Sequence, residues 1–191
     1  MNANLPEDIR DLQDQLDAAE RDAAELVAGL SEERGTARVS TGSWSVAQCL
    51  DHLVTANRVY LKAMQEPASR ARTQGKFRLG PARPGWVGGL FARSLEPPAR
   101  RWFKLRAPRK IRPAPAPPLD EAFADFVGSQ ADVRAFLRVH ADLDLTGIRF
   151  PNPLIRGVRF SLATGFHVIT AHERRHLWQA WRIRRAVERA K

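Results

Sequence analysis

Two histidines four residues apart, His172 and His176, are the side chains of this sequence best suited to chemistry. On an α-helix this spacing turns about 40° and rises about 6 Å, so both imidazoles leave the same face one turn apart. Two neutral imidazoles on one helical face form a common half of a zinc or nickel site. The pair also falls in register with the apolar stripe of its helix, and buried imidazoles need a partner such as a metal ion. That stripe consists of Leu162, Phe166, Ile169, Ala180, Ile183 and Val187.

The segment from His172 to His176 reads His-Glu-Arg-Arg-His, which has the H-E-x-x-H form of zinc proteases. A metzincin would need a further histidine shortly afterwards, and residues 177–181 contain none. Proteases of this kind also contain a sheet, which this sequence does not predict. Peptide hydrolysis is therefore disfavoured. Glu173 lies about 100° around the helix from His172, so a general-base role for it is only weakly supported.

A third ligand would have to come from another helix, and His52 is the best candidate. It lies about two turns into a helix that begins at Ser45, at the edge of the apolar stripe. Ser45 and Gln48 have the spacing of a capping box, and Trp44 stands where a hydrophobic staple would place it. Three protein ligands with open positions are typical of a reactive metal site. Cys49, three residues before His52 in the chain, could lie near the metal, but a small buried hydrophobe is the favoured interpretation.

The remaining histidines and tryptophans have simpler interpretations. His167 is five residues before the first histidine of the pair, about 140° around the helix, and is predicted not to be a ligand. His140 near a helix C-terminus is explained by the helix dipole. Gln179 could be a second-sphere partner of the metal or a polar residue between helices. Trp178 and Trp181, like the staple tryptophan, are expected in the core or an interface.

Apolar residues recur with helical period in four long segments, and no segment shows a convincing strand pattern. The second helix should stop at Pro67, because proline breaks the helical hydrogen-bond pattern. The third should be capped by Asp120, with Leu119 as its staple. These features predict an all-α fold, an up-down four-helix bundle whose inner side chains can form metal sites. The predicted helices span residues 6–33, 45–67, 120–140 and 160–190.

The connection between the second and third long helices, residues 68–118, is rich in arginine, glycine and proline. Residues 86–103 are apolar enough for one or two short helices, whereas the proline-rich run 112–118 should lie extended. The two long helices on either side of this connection would, by themselves, form a helix pair with an exposed apolar face. A single domain over residues 1–191 is therefore predicted.

Bulk properties point to a cytoplasmic protein. The 191 residues are enough for one compact domain with a sizeable core. No apolar run approaches the roughly 20 residues that a membrane span needs, and the N-terminus lacks the pattern of a signal peptide. The single cysteine excludes an internal disulfide. We therefore expect a cytoplasmic location and no membrane partner.

The net charge of +10 comes almost entirely from arginine. A basic protein can bind nucleic acid, a membrane surface or an acidic small molecule. Because no zinc-finger spacing, ribonucleoprotein-type aromatic pattern or GXXG loop accompanies the charge, a nucleic-acid partner is disfavoured. The charge nevertheless leaves an alternative open: a non-catalytic binding or stress-response module whose basic surface contacts nucleic acid.

Two motifs are informative in combination. Residues 44–53 read WSVAQCLDHL, and residues 172–179 read HERRHLWQ. The first resembles the Trp-Ser helix start, with a later His-Leu, of the DinB-like (YfiT-like) metal-binding four-helix bundles. The second resembles the C-terminal H-[DE]-x-x-H-x-x-Q motif of the same family. The motifs occur in the family's order, and the resemblance covers most of the chain except residues 68–118.

This resemblance implies a divalent-metal site of three histidines, which by position are His52, His172 and His176, with zinc or nickel as the metal. It also implies reaction classes: thiol-dependent transferases and isomerases that use a low-molecular-weight thiol (mycothiol or bacillithiol), or metal-dependent hydrolases acting on a small molecule. A homodimer is expected by resemblance only. The resemblance does not select one reaction, because a fold does not determine a function.

Overall fold

The computed structural model describes residues 5–98 and 107–189, and this part of the chain is mostly helical. None of its helices combines the length and apolar character that crossing a membrane requires. The four long helices are α1 (Glu7–Val27), α3 (Val46–Thr73), α5 (Leu119–Val139) and α6 (Leu162–Arg189). The shorter elements are α2 (Glu32–Thr36), α4 (Trp86–Leu95), a 3₁₀ turn (Arg109–Ile111) and the strands β1 (Arg149–Pro151) and β2 (Arg159–Ser161).

The four long helices pack in a crossed order. Helix α3 packs against α5 and α6, and α1 packs against the same two helices. Helices α1 and α3 therefore lie diagonally opposite each other across the interior, and so do α5 and α6. Histidines on α3 and α6 consequently face each other across a direct helix–helix contact.

Buried polar residues separate two hydrophobic clusters along α3, α5 and α6. One cluster includes Met64, Val133 and Phe166, and the other includes Leu50, Phe126 and Leu177. The buried polar residues that lie between the clusters along these helices include Asn57, Ser129, Gln130 and Glu173. Burying polar groups is costly unless they form hydrogen bonds, and Asn57 and Gln130 both donate to Glu173.

The first predicted helix, residues 6–33, was too long. Helix α1 ends at Val27, and Gly29 follows with φ of 68°. That left-handed conformation suits glycine and ends the helix. Ser31 then accepts a hydrogen bond from the Arg34 amide at 3.3 Å and caps the separate helix α2.

The prediction that the second helix stops at Pro67 was wrong. Helix α3 contains Pro67 and continues to Thr73. The proline removes one backbone donor, but the turn after it buries Ala68 and Ala71 in the core. Tertiary packing therefore outweighs the local penalty.

The third long helix begins at Leu119, and Asp120 is its second residue, not its cap. The amide of Leu119 donates to both carboxylate oxygens of Glu32 on α2, at 3.1 and 3.0 Å. A side chain 87 residues away thus satisfies a free amide of the first turn, where a negative charge is favourable. No pattern within the helix itself could have indicated this cap.

The expectation of no strand was also wrong, although the sheet is small. Strands β1 and β2 pair antiparallel, with Phe150 opposite Phe160. Both phenylalanines are buried in the cluster that also holds Met64. Three residues are too short a segment for alternation to be recognised in sequence.

Part of the connection 68–118 is ordered against the long helices. The short helix predicted in this connection is α4. A Cβ atom on Gly88 would lie 2.5 Å from the Thr164 side chain, so only glycine allows α4 to approach α6 this closely. The loop before α4 is tied to α1, because Asp8 accepts hydrogen bonds from the Ala82 amide at 2.6 Å and Arg78 at 2.5 Å. The proline-rich run 112–118 contains no helix, as predicted. Any second helix within residues 99–106 lies outside the described residues.

Candidate metal centre

The structure brings together the three histidines that the sequence singled out. One ring nitrogen from each of His52, His172 and His176 lies within 4.8 Å of the others. The ring centroids are 4.4 to 4.9 Å apart. His52 and His176 are buried, with exposed fractions of 1% and 9%, and His172 is half-buried. This geometry could hold a metal ion.

Local helix signals place these side chains. The spacing of His172 and His176 directs both rings from α6 towards α3, which carries His52. The start of α3 is fixed by the predicted capping box: the Gln48 amide donates to Ser45 Oγ at 3.1 Å, and the Ser45 amide donates to Gln48 Oε1 at 3.2 Å. His52 therefore sits at a defined height on α3.

Hydrogen bonding sets the tautomer of His52. Its Nδ1 lies 2.5 Å from the carbonyl oxygen of Ile111. A carbonyl oxygen can only accept, so Nδ1 carries the proton and donates. In the neutral ring Nε2 then keeps a free lone pair, and this atom lies 3.2 Å from Nε2 of His172.

These distances fit the chemistry of a divalent metal. Two nitrogens bound tetrahedrally to zinc at about 2.05 Å lie about 3.3 Å apart, close to the separation of the His52 and His172 Nε2 atoms. Nδ1 of His176 is also buried without a hydrogen-bond partner among the described residues. Buried polar atoms without partners are rare, and a cation bound by this nitrogen would remove this cost. The donor set of imidazoles suits zinc, nickel and other borderline metals.

The electrostatic environment keeps all three rings neutral at pH 7. Burial lowers the pKa of His52, an effect that its hydrogen bond to Ile111 and the negative charge of Asp51 partly offset. Burial, together with the neighbouring His52 and the positive Arg175, lowers the pKa of His172 to about 3. Burial, the other two rings and Arg175 place the pKa of His176 well below its usual range. Neutral imidazoles are the form that binds metal.

An indole ring lies against the three imidazoles. The ring centroid of Trp44 is 4.7 Å from that of His52 and 5.6 Å from that of His176. The staple tryptophan is half-buried, so it covers one side of the cluster while keeping an edge in solvent. Sequence reasoning placed this residue in the core or an interface, and its contact with the candidate site was missed.

Glu173 is the acceptor of a buried hydrogen-bond network that the sequence did not indicate. It is fully buried and is not part of the histidine cluster. Its Oε1 accepts hydrogen bonds from Asn57 Nδ2 at 2.9 Å and Gln130 Nε2 at 2.6 Å. Burial raises the pKa of Glu173 to about 7, against the lowering effect of these two bonds. Polar residues at inward positions of α3 and α5 were the only signal that could have indicated this network.

The other residues considered from sequence lie outside the cluster. Cys49 is fully buried, and burial raises the pKa of its thiol. His140 is buried at the end of α5, where its Nδ1 contacts the Phe136 carbonyl at 2.8 Å. Gln179 is close enough to His176 to oppose part of the fall in its pKa. Trp178 and Trp181 are half-buried, and Trp181 donates to Asp22 at 2.7 Å.

A separate groove lies next to His167. It has a volume of about 540 Å³ and runs between the N-terminal part of α1 and residues 81–84. None of the three clustered histidines lines it. His167 is thus on the same helix as the candidate ligands but in a different environment, as its spacing predicted.

Comparison with protein families now adds to this geometry. A family model described as the DinB superfamily matches residues 15–180. The chain belongs to the DinB superfamily. The match confirms the resemblance seen in the two histidine-containing motifs and includes the connection that those motifs did not explain. No curated protein and no solved structure matches this DinB superfamily member.

Proposed function

We propose that this DinB superfamily protein is a metal-dependent enzyme acting on a small molecule, with zinc or nickel held by His52, His172 and His176. The observation that carries the proposal is the approach of three neutral ring nitrogens, from two helices, to within 4.8 Å of one another. Structural zinc sites usually take four protein ligands, whereas reactive sites take three. A three-histidine set therefore favours a reactive centre.

The reaction class we propose is thiol S-transfer, with hydrolysis as the related option. A divalent metal at these nitrogens would supply Lewis acidity, which lowers the pKa of a thiol or of a water molecule. The chain itself would orient His52 through the Ile111 carbonyl and limit solvent access with Trp44.

Charge at the site favours an anionic reactant. No carboxylate belongs to the cluster among the described residues, although the negative Asp51, next to His52 in the chain, acts to raise the pKa of that ring. Arg175 lowers the pKa of both His172 and His176 through its positive charge, so its electrostatic field reaches the region between these two rings. A thiolate or a carboxylate-bearing small molecule would be attracted there. A low-molecular-weight thiol meets this requirement.

Metal analysis of protein purified without a histidine tag tests the proposal. We expect about one zinc or nickel per chain in the wild type and a loss of most of it in His52→Ala and His172→Ala. His167→Ala is the matched control, since His167 lies on the same helix outside the cluster. Metal content that is absent in the wild type, or equal in all four proteins, would refute the site.

Spectroscopy of the cobalt-substituted protein tests the thiol. Adding a small thiol should produce a sulfur-to-cobalt charge-transfer band if the thiolate reaches the metal. A spectrum that stays unchanged with several thiols, in protein that has bound cobalt, would leave hydrolysis as the proposed class.

The finer expectations from sequence are carried forward as proposals: an up-down four-helix bundle, one domain over residues 1–191 and a cytoplasmic location. A homodimer is proposed from the resemblance alone. The alternative of a non-catalytic or stress-response module that contacts nucleic acid also stays a prediction. The two functions separate experimentally, because nucleic-acid binding through a basic surface should weaken with salt and should not depend on bound metal.

A further inference from the structure

Residues 109–115, which we call the strap, lie along one face of α3 beside the candidate metal centre. The strap starts with the 3₁₀ turn Arg109–Ile111 and continues without helix, with an extended backbone at Arg112, where ψ is 137°. Ile111 is 3% exposed and thus anchors the strap in the interior. This is part of the connection whose role the sequence motifs did not explain.

Three residues of α3 bind the strap, and their spacing places them on one helical face. His52 donates from Nδ1 to the Ile111 carbonyl at 2.5 Å. Asp51 Oδ2 accepts from the Ala114 amide at 2.7 Å. Gln48 Nε2 contacts the carbonyl oxygens of Ala114 and Pro115, each at 3.0 Å.

The amino-acid types of the strap suit this arrangement. Prolines at 113 and 115 favour an extended backbone and reduce the freedom of the unfolded segment. Proline has no amide hydrogen, so between these prolines only Ala114 can donate. Its amide is the group that Asp51 accepts, and the bond therefore fixes the strap in one register along α3.

We propose that the strap positions His52 as a metal ligand through the carbonyl of Ile111, and that Asp51 and Gln48 are the positioning residues that hold the strap. The inference rests on the proposed function, since it assigns His52 to the metal. The carbonyl holds the proton on Nδ1 and turns Nε2 towards His172. Outer partners of this kind typically change metal affinity by about 10- to 100-fold when they are removed.

Two variants remove the Asp51–Ala114 bond from opposite sides. Asp51→Ala removes the acceptor, and Ala114→Pro removes the donor without altering α3. Ala116→Pro is the matched control, because Ala116 is also flanked by prolines and its amide makes no hydrogen bond within the described residues. Gln48 is left intact, since it also caps α3.

The first readout is zinc affinity, measured by competition with a chromophoric chelator on protein shown to be folded by circular dichroism. We expect affinity to fall by about 10- to 100-fold in Asp51→Ala and Ala114→Pro, and to change by less than about twofold in Ala116→Pro. An equal fall in both proline variants would indicate a general effect of proline and overturn the inference.

The second readout is the tautomer of His52 in metal-free protein, from nitrogen-15 NMR of the imidazole rings. Wild type should show Nδ1 protonated, and the two strap variants should show a mixture of tautomers. A merely structural role would lower thermal stability without this change. Unchanged affinity and tautomer in both variants would overturn the inference while leaving the metal site standing. A wild type that binds no metal would refute the proposed function, and the tautomer would still decide whether the strap orients His52.

Discussion

Replacing Glu173 by methionine should destabilise the protein strongly, whereas replacing it by glutamine should not. Methionine matches the length of glutamate but offers no strong acceptor, so one buried N–H of Asn57 and one of Gln130 would lose its acceptor, while Asn57 would keep its contact with Ser129 Oγ at 3.3 Å. Each unsatisfied buried donor costs about 1–3 kcal/mol. Apolar burial of the methionine offsets part of the sum, leaving a net loss of about 2–4 kcal/mol. Glutamine keeps the accepting oxygen, and we expect a loss below about 1.5 kcal/mol.

Urea unfolding in the presence of a chelator measures this difference without a contribution from metal. At this chain length 1 kcal/mol corresponds to about 2–4 °C in Tm, so the methionine variant should melt roughly 5–15 °C lower. Glu66→Met is the control, since Glu66 is about two-thirds exposed in an ion pair with Arg70. It should change stability by no more than about 0.5 kcal/mol.

A double-variant cycle makes the reasoning refutable. If Glu173 and Gln130 act as one hydrogen-bonded pair, Glu173→Met with Gln130→Met should cost less than the sum of the single changes, by about 0.5–3 kcal/mol. Equal tolerance of methionine and glutamine at position 173, or strict additivity in the cycle, would show that the hydrogen bonds of Glu173 do not stabilise the fold.

Two further predictions concern the loop and helix between α3 and α5. Burial acts to raise the pKa of Asp8, but the Ala82 amide and Arg78 outweigh it, so the pKa is lowered. Asp8→Asn should therefore cost most at neutral pH. Its difference from wild type in urea unfolding should begin to shrink near pH 4, about the ordinary pKa of an aspartate, and be lost only as the pH falls through the lowered folded-state pKa. A difference that persists at acid pH would contradict this linkage. Gly88→Ala should lower stability by about 1–3 kcal/mol because its Cβ would overlap a side chain of α6, whereas Gly89→Ala meets nothing closer than 3.7 Å and should be neutral or stabilising in thermal unfolding.

The sequence by itself determined the local features of the site. The four-residue spacing of His172 and His176 follows from the pitch of a helix, and Ser45 with Gln48 fixes where α3 begins. These signals involve residues within one or two turns of each other, so they depend little on the rest of the fold. They were also enough to indicate the family, which the match over residues 15–180 confirmed.

Tertiary packing decided the features that depend on residues far apart in the chain. Pro67 stays inside α3 because the following turn is buried, and Glu32 caps α5 from 87 residues away. The partners of Glu173 lie on two other helices. No periodicity within a single segment encodes such contacts, since they arise only when helices meet.

The candidate metal centre combines both kinds of information. The sequence identified His172 and His176 by type and spacing, and His52 by its place on a second helix and the family resemblance. Their role as ligands stays a prediction. Only the folded chain places the Ile111 carbonyl, 59 residues from His52, against Nδ1 of that ring. The hydrogen-bond partner of a histidine ring decides which of its two nitrogens carries the proton. That partner is determined by tertiary packing and not by the local sequence.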